Sequence, residues 1–177
     1  MYRLSASKAW PMPRKITLVL AAVLAMLSSG AARAGTATSS FQTQIIIQAS
    51  CTIVSISPSS LDFGTQGVLA ANVNAQLDIT VQCTNTTPYN IGLNAGNGAG
   101  ATVTTRKMTS GSNTINYSLY KDSSRTTLWG DTGTDRVSST GTGSPQLPAF
   151  TVYGQVPAQS TPAPGTYTDT ITVTVTY

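Results

Sequence analysis

Histidine and glutamate are absent from this 177-residue sequence, and charged residues make up only 9% of it. Without histidine, the Ser-His-Asp and Cys-His arrangements that activate a nucleophile cannot be assembled. Without glutamate, paired-carboxylate chemistry falls to six aspartates, of which Asp131 and Asp135 flank a glycine-bearing stretch that reads as a solvated turn. Two cysteines with no histidine make no zinc site, and there is no C-x-x-C redox motif. The glycine-rich NAGNGAG at 94–100 lacks the Lys and Ser/Thr of a phosphate loop, and no helical pattern follows it. Asp122, Asp131 and Asp135 lack the D-x-D-x-D-G spacing of a calcium loop. The sequence therefore offers no catalytic residue, no cofactor site and no metal site, and it reads as non-enzymatic.

What is present begins with an export signal. Arg3, Lys8, Arg14 and Lys15 precede an apolar run over residues 16–27, and Ala32-Arg33-Ala34 has the small-x-small form of a cleavage site. The run is too short to span a bilayer, which takes roughly 20 residues. Residues 1–34 are thus expected to be a signal peptide, leaving no integral membrane segment. Its removal takes away half of the ten basic residues, so residues 35–177 carry five Lys plus Arg against six Asp. The high pI of the full sequence belongs to the leader, and a nucleic-acid partner loses its electrostatic support.

The remaining 143 residues suffice for one domain with one core. Period-2 alternation recurs along them and a 3.6-residue apolar period does not. In residues 72–83, Val73, Ala75, Leu77, Ile79, Val81 and Cys83 share one face, and polar residues share the other. Further strands are expected at 44–53, 60–63, 89–94, 115–120, 150–156 and 168–177. Turn-rich stretches separate them, among them a long one at 131–145. About seven short strands between Gly, Pro and Asn turns predict an all-β, immunoglobulin-like β-sandwich.

Cys51 and Cys83 are the only cysteines of an exported chain, so a disulfide is expected between the first strand and the strand at 72–83. Closing a loop of about 30 residues contributes on the order of 4 kcal/mol in the chain-entropy model. Tyr117, Tyr120, Trp129 and Tyr153 could make a sugar-stacking platform, but Tyr117 shares the apolar set of Ile115 and Leu119 and is expected in the core. Two glycosylation sequons, at Asn85 and Asn116, matter only in a host with the machinery.

Both ends of the domain alternate. Ile171, Val173, Val175 and Tyr177 share a face of the terminal strand, which needs a partner along each edge. Before Cys51, Phe41, Thr43, Ile45, Ile47 and Ala49 share a face, with Ile46 out of phase. This segment either pairs within its own domain or is offered to another molecule.

The runs ASCTIVSISPSSLDFGT at 49–65, LDITVQCTNTTPYNIGLNAG at 77–96, RKMTSGSNTINYSLYKDSSRTTLWGD at 106–131, FTVYGQVPAQ at 150–159 and the terminal GTYTDTITVTVTY resemble, in order, the spore coat protein U domain family. That family includes subunits of archaic, Csu-type chaperone-usher pili. The resemblance implies a sandwich lacking its last strand, completed by a donor strand. Residues 35–46 would be the N-terminal donor-strand extension and residues 47–177 the sandwich domain. Phe41, Thr43, Ile45 and Ile47 would fill a neighbour's groove, with Ala37 and Ser39 small for its outer positions. Ile171, Val173, Val175 and Tyr177 would form part of the acceptor groove. The implied partners are a periplasmic pilus chaperone, an outer-membrane usher and sibling subunits, and the implied place is the periplasm in transit and then a cell-surface fibre serving adhesion or biofilm formation. Two alternatives keep the fold: a tip adhesin that binds a sugar or an abiotic surface, and a self-complemented, coat-like monomer.

Overall fold

The strand with the strongest alternation, β2 (Val73–Cys83), becomes the spine of the larger sheet, flanked by β1 (Cys51–Ser57) and β7 (Ala149–Val156). The structure is a computed structural model that describes residues 34–177, so the expected leader lies, apart from Ala34, outside the described residues. β5 (Asn113–Tyr120) and β4 (Arg106–Ser110) extend this sheet to the order β1-β2-β7-β5-β4. A second sheet has the order β6-β3-β8, from β6 (Val137–Thr140), β3 (Pro88–Leu93) and β8 (Val173–Thr176). All of these pairs are antiparallel. The only helical element among the described residues is a 3-10 turn, Gly133–Asp135. The all-β class and the sandwich are as the alternation predicts.

One apolar core joins the two sheets. Ile79 and Val81 of β2, Ile91 and Leu93 of β3, Leu119 of β5 and Val152 of β7 are all buried within it. Residues two apart on a strand point the same way, so each strand gives every second side chain to this layer. Trp129 is buried beside them and donates its indole N–H to the Ile91 carbonyl at 3.0 Å, which satisfies its one polar atom. Tyr117 is also buried in the core.

Five strand expectations are corrected. Residues 44–50 carry no strand, and the first one starts at Cys51 and runs on to Ser57. A bulge at Val54 makes this possible: Ile53 faces Val81, Ser55 faces Thr80 and Ile56 faces Ile79, so the extra residue returns Ile56 to the inner face. Residues 60–63 form no strand; Leu61 and Phe63 pack against the core as loop plugs, so close to Gly154 that a Cβ there would meet them at 2.6 and 3.0 Å. The stretch 131–145 contains β6, which pairs with β3. β4, a strand the alternation does not announce, pairs with β5 through a hairpin whose Gly111 adopts φ 59°, in the left-handed region that glycine tolerates. The terminal strand is regular only over Val173–Thr176, with Thr168 bridging separately to Thr109.

The chain divides between Ile45 and Ile46, and the sandwich belongs to the unit from Ile46 to Tyr177. The described residues before Cys51 have neither helix nor strand and are exposed.

Candidate functional site

β1 is one edge of the larger sheet and pairs only with β2; β8 is an edge of the smaller sheet and pairs only with β3. A cleft of about 550 Å³ reaches from Ile56 of β1 to Val173 of β8, floored by Leu77, Ile79, Leu119 and Val152. A second lobe of about 800 Å³ shares Leu61, Phe63, Met108 and Tyr167 with it and extends toward Val73 and Val156. A sandwich whose sheets were sealed along this side would have no such opening, because close packing leaves few voids larger than a water molecule. The apolar side chains at its rim are only partly covered, and Ile56 is 38% exposed.

The expected groove residues fall on this side to different degrees. Ile171 and Val173 line the cleft, and Val175 packs against the core beside them. Tyr177, beyond the end of β8, is 60% exposed. The threonines between them face solvent, which preserves the alternation read from the sequence. Of the expected donor residues, Phe41 is 88%, Ile45 82% and Ile47 72% exposed, and Thr43 is exposed as well. Cys51 and Cys83 are bonded, S–S 2.00 Å, and pin the start of β1 to the end of β2.

Polar chemistry at the cleft comes from Tyr117, expected in the core, and from Asp169, which the sequence did not single out. Tyr117 Oη donates to Asp169 Oδ2 at 2.8 Å, and the other carboxylate oxygen accepts from the Asn97 and Thr170 backbone N–H groups at 2.7 and 2.8 Å. Burial and the Asp169 carboxylate together push the Tyr117 phenol well above its usual value, so it stays a donor through any ordinary pH. Two glycines of the glycine-rich loop are explained by close approach: a Cβ on Gly96, which has φ 82°, would collide with Asp169, and one on Gly98 would meet the Lys107 carbonyl at 2.5 Å. Gly96 and Gly98 thus serve close packing, and Gly100 supplies a left-handed turn at φ 69°. Tyr117 was placed in the core from its strand, but its pairing with Asp169 is hidden from a sequence reading by the separation of 52 residues.

Nearby, Arg106 is 0% exposed. Its guanidinium donates to the carbonyls of Asn94, Val103, Leu93 and Trp129 at 2.8, 2.9, 3.0 and 2.8 Å. Burial lowers its pKa, opposed by Tyr117, Asp131 and Asp169, but arginine starts so high that it remains a cation. The aspartates do not converge on a cation site: among the described residues no group of three or more potential ligands could hold a metal. Asp122 instead accepts from the Thr126 and Thr127 N–H groups and the Thr126 hydroxyl. Of the aromatic residues considered for a sugar platform, Trp129 and Tyr117 are buried, Tyr120 pairs across strands with Tyr153, and Arg125 lies 5.8 Å over the Tyr153 ring.

A family model described as Spore Coat Protein U domain matches residues 37–174, most of the chain. The chain belongs to the Spore Coat Protein U domain family. Protein U of Myxococcus xanthus is 31% identical over 169 residues, which are 88% of this chain and 93% of that protein. Among solved structures, the chain is similar to one in the crystal structure of a chaperone–tip adhesion subunit pre-assembly complex from the archaic chaperone-usher Csu pili of Acinetobacter baumannii. That match is 29% identical with a TM-score of 0.48 and covers 74% of this chain and 40% of that one. The Spore Coat Protein U match spans positions 37–50 as well as the sandwich. Among the described residues no helix is long and apolar enough to cross a membrane.

Proposed function

We propose that this Spore Coat Protein U domain is a non-enzymatic structural subunit that is exported and polymerises into a surface fibre or coat by accepting a strand from a neighbouring copy. The open cleft between the free edges of β1 and β8 carries the reading. An added strand gains backbone hydrogen bonds to a free edge and places alternate side chains in pockets. The exposed Phe41, Thr43, Ile45 and Ile47 supply an alternating segment of that kind. Burying one large apolar side chain is worth about 1.5 to 3 kcal/mol, so Phe41 and Ile45 together offer roughly 3 to 6 kcal/mol per joint before ordering costs. On this reading residues 35–46 are the donor extension. A periplasmic chaperone then shields the cleft before assembly, an outer-membrane usher delivers the subunits, and attachment or biofilm formation is the use of the finished fibre.

The test is to refold the chaperone-free protein with and without a synthetic peptide of residues 35–50. At a peptide concentration a hundredfold above Kd, mass action adds about 2.7 kcal/mol, which raises Tm by several degrees. An unchanged Tm, together with a stable monomer on size exclusion, overturns the proposal.

A further inference from the structure

β8 offers a short edge for strand addition. Thr172 exchanges hydrogen bonds with Asn94: its carbonyl accepts from the Asn94 backbone N–H at 3.2 Å, and its N–H donates to Asn94 Oδ1 at 2.9 Å. In an antiparallel ladder, backbone groups of successive residues point to opposite edges. The even-numbered residues from Thr172 onward are thus turned toward β3, and Ile171, Val173 and Val175 present their N–H and C=O groups to the open side. Within β8 itself only Val173 and Val175 do so, a shorter edge than an ordinary strand of five or six residues provides.

The segment before β8 can lengthen that edge. Residues 169–172 are not assigned to a strand, yet their side chains already alternate, with Ile171 partly buried and Thr170 and Thr172 exposed. They cross from the larger sheet, where Thr168 bridges to Thr109 of β4, to the smaller one. Tyr117 and Asp169, which both line the cleft, fix the crossing from the side of the core. Phe63 stacks edge-on against Tyr117 with ring centroids 6.2 Å apart, so the phenol cannot swing freely.

We propose that the Tyr117–Asp169 hydrogen bond is a positioning clasp that holds residues 169–172 as a ready continuation of β8. The edge available to an incoming strand then runs from Asp169 through Val175. This inference rests on the strand-accepting reading given above. The clasp residues touch the acceptor's own last segment, and their effect on capture is exerted through its backbone.

The experiment measures binding of a fluorescently labelled peptide of residues 35–50 to the full chain and to three variants. Tyr117→Phe removes the hydroxyl and keeps the ring; Asp169→Asn keeps the side chain's size and serves if Tyr117→Phe does not fold. Thr151→Val removes a comparable hydroxyl–carboxylate bond, 2.6 Å to Asp78, at a place that does not line the cleft. Tyr117→Phe or Asp169→Asn is expected to weaken capture about tenfold, the worth of one well-made hydrogen bond, while Thr151→Val changes it less than about twofold. In the complex with the unaltered chain, the Ile171 amide should exchange slowly, and in the clasp variants it should lose that protection. Capture by the unaltered chain with undiminished capture by both clasp variants overturns the clasp alone. A drop of the same size in Thr151→Val shows a general stability effect and also overturns it. No capture by the unaltered chain removes the strand-accepting reading, and the clasp with it.

Discussion

Arg106 and Ile56 both lie on strands that border the interior of this sandwich, and the structure treats them in opposite ways. Arg106, a permanent charge, is fully enclosed because four backbone carbonyls converge on its guanidinium. Ile56, an aliphatic side chain on the inner face, is left 38% exposed because it stands at the rim of the open cleft, where none of the described residues covers it fully. Burial here follows completeness of the surroundings more than residue type. A charge can be buried when every donor is met, and an apolar side chain stays exposed where the strands around it leave a cleft open. In that sense the Arg106 corner is finished, and the β1–β8 side, open as a cleft, is not.

Breaking the finished corner should have the largest effect. Arg106→Ala leaves four carbonyls without their donor, each at about 1 to 3 kcal/mol, so the loss is at least about 4 kcal/mol. That is comparable to the whole stability of an ordinary domain, and far-ultraviolet circular dichroism should show a chain that no longer folds. Arg106→Lys keeps the charge and cannot reach four acceptors in a planar fork, so it should unfold at clearly lower denaturant than the parent. Folding of Arg106→Ala at parental stability would contradict the account of this corner.

On the unfinished side, folding and assembly should come apart according to which partner is altered. Val173→Asp places a charge on the inner face of β8, where Val173 lines the cleft, and is expected to damage both folding and fibre growth. Phe41→Ala changes a side chain that is 88% exposed. It should leave the melting temperature of the isolated subunit within a degree or so and cost about 1.5 to 3 kcal/mol at each joint. Fibre dissociation followed in guanidinium reads the second quantity. Normal assembly of Val173→Asp, or a Phe41→Ala subunit that itself melts far lower, would erase the contrast between the two sides.

How much of this was legible in the sequence depends on what each feature relies on. β2, β5 and β7 could be read from alternation because each buries one face and carries its own pattern. The cysteine pair was legible because it has no competitors. β4 and β6 were not, since RKMTS and VSST contain one apolar residue each and become strands by pairing with β5 and β3. Arg106 reads as a surface charge until residues 93, 94, 103 and 129 are brought around it. Ile56 falls out of phase until the bulge at Val54 is known. The terminal strand was correct in direction and facing but too long, because β3 ends at Leu93, opposite Val173, and residues 169–172 meet no ladder beyond it.

The smallest predicted effect belongs to Asp122, where polar closure resembles that of Arg106 but takes place in water. Its carboxylate accepts from three donors on Thr126 and Thr127, the Thr126 backbone N–H foremost, and these hold its pKa down at about 2. A carboxyl whose folded pKa is depressed stabilises its loop above the unfolded value, near 4, and gives up that contribution as pH falls through the folded one. The Thr126 and Thr127 amides should therefore exchange faster, relative to their intrinsic rates, between about pH 4 and pH 2, and Asp122→Asn should remove that dependence. Leu119, buried in the core on β5 just before the loop, should show no such change. If its protection falls in step with that of Thr126, the acid transition is global, and the Asp122 loop is not the separate, exposed closure described here.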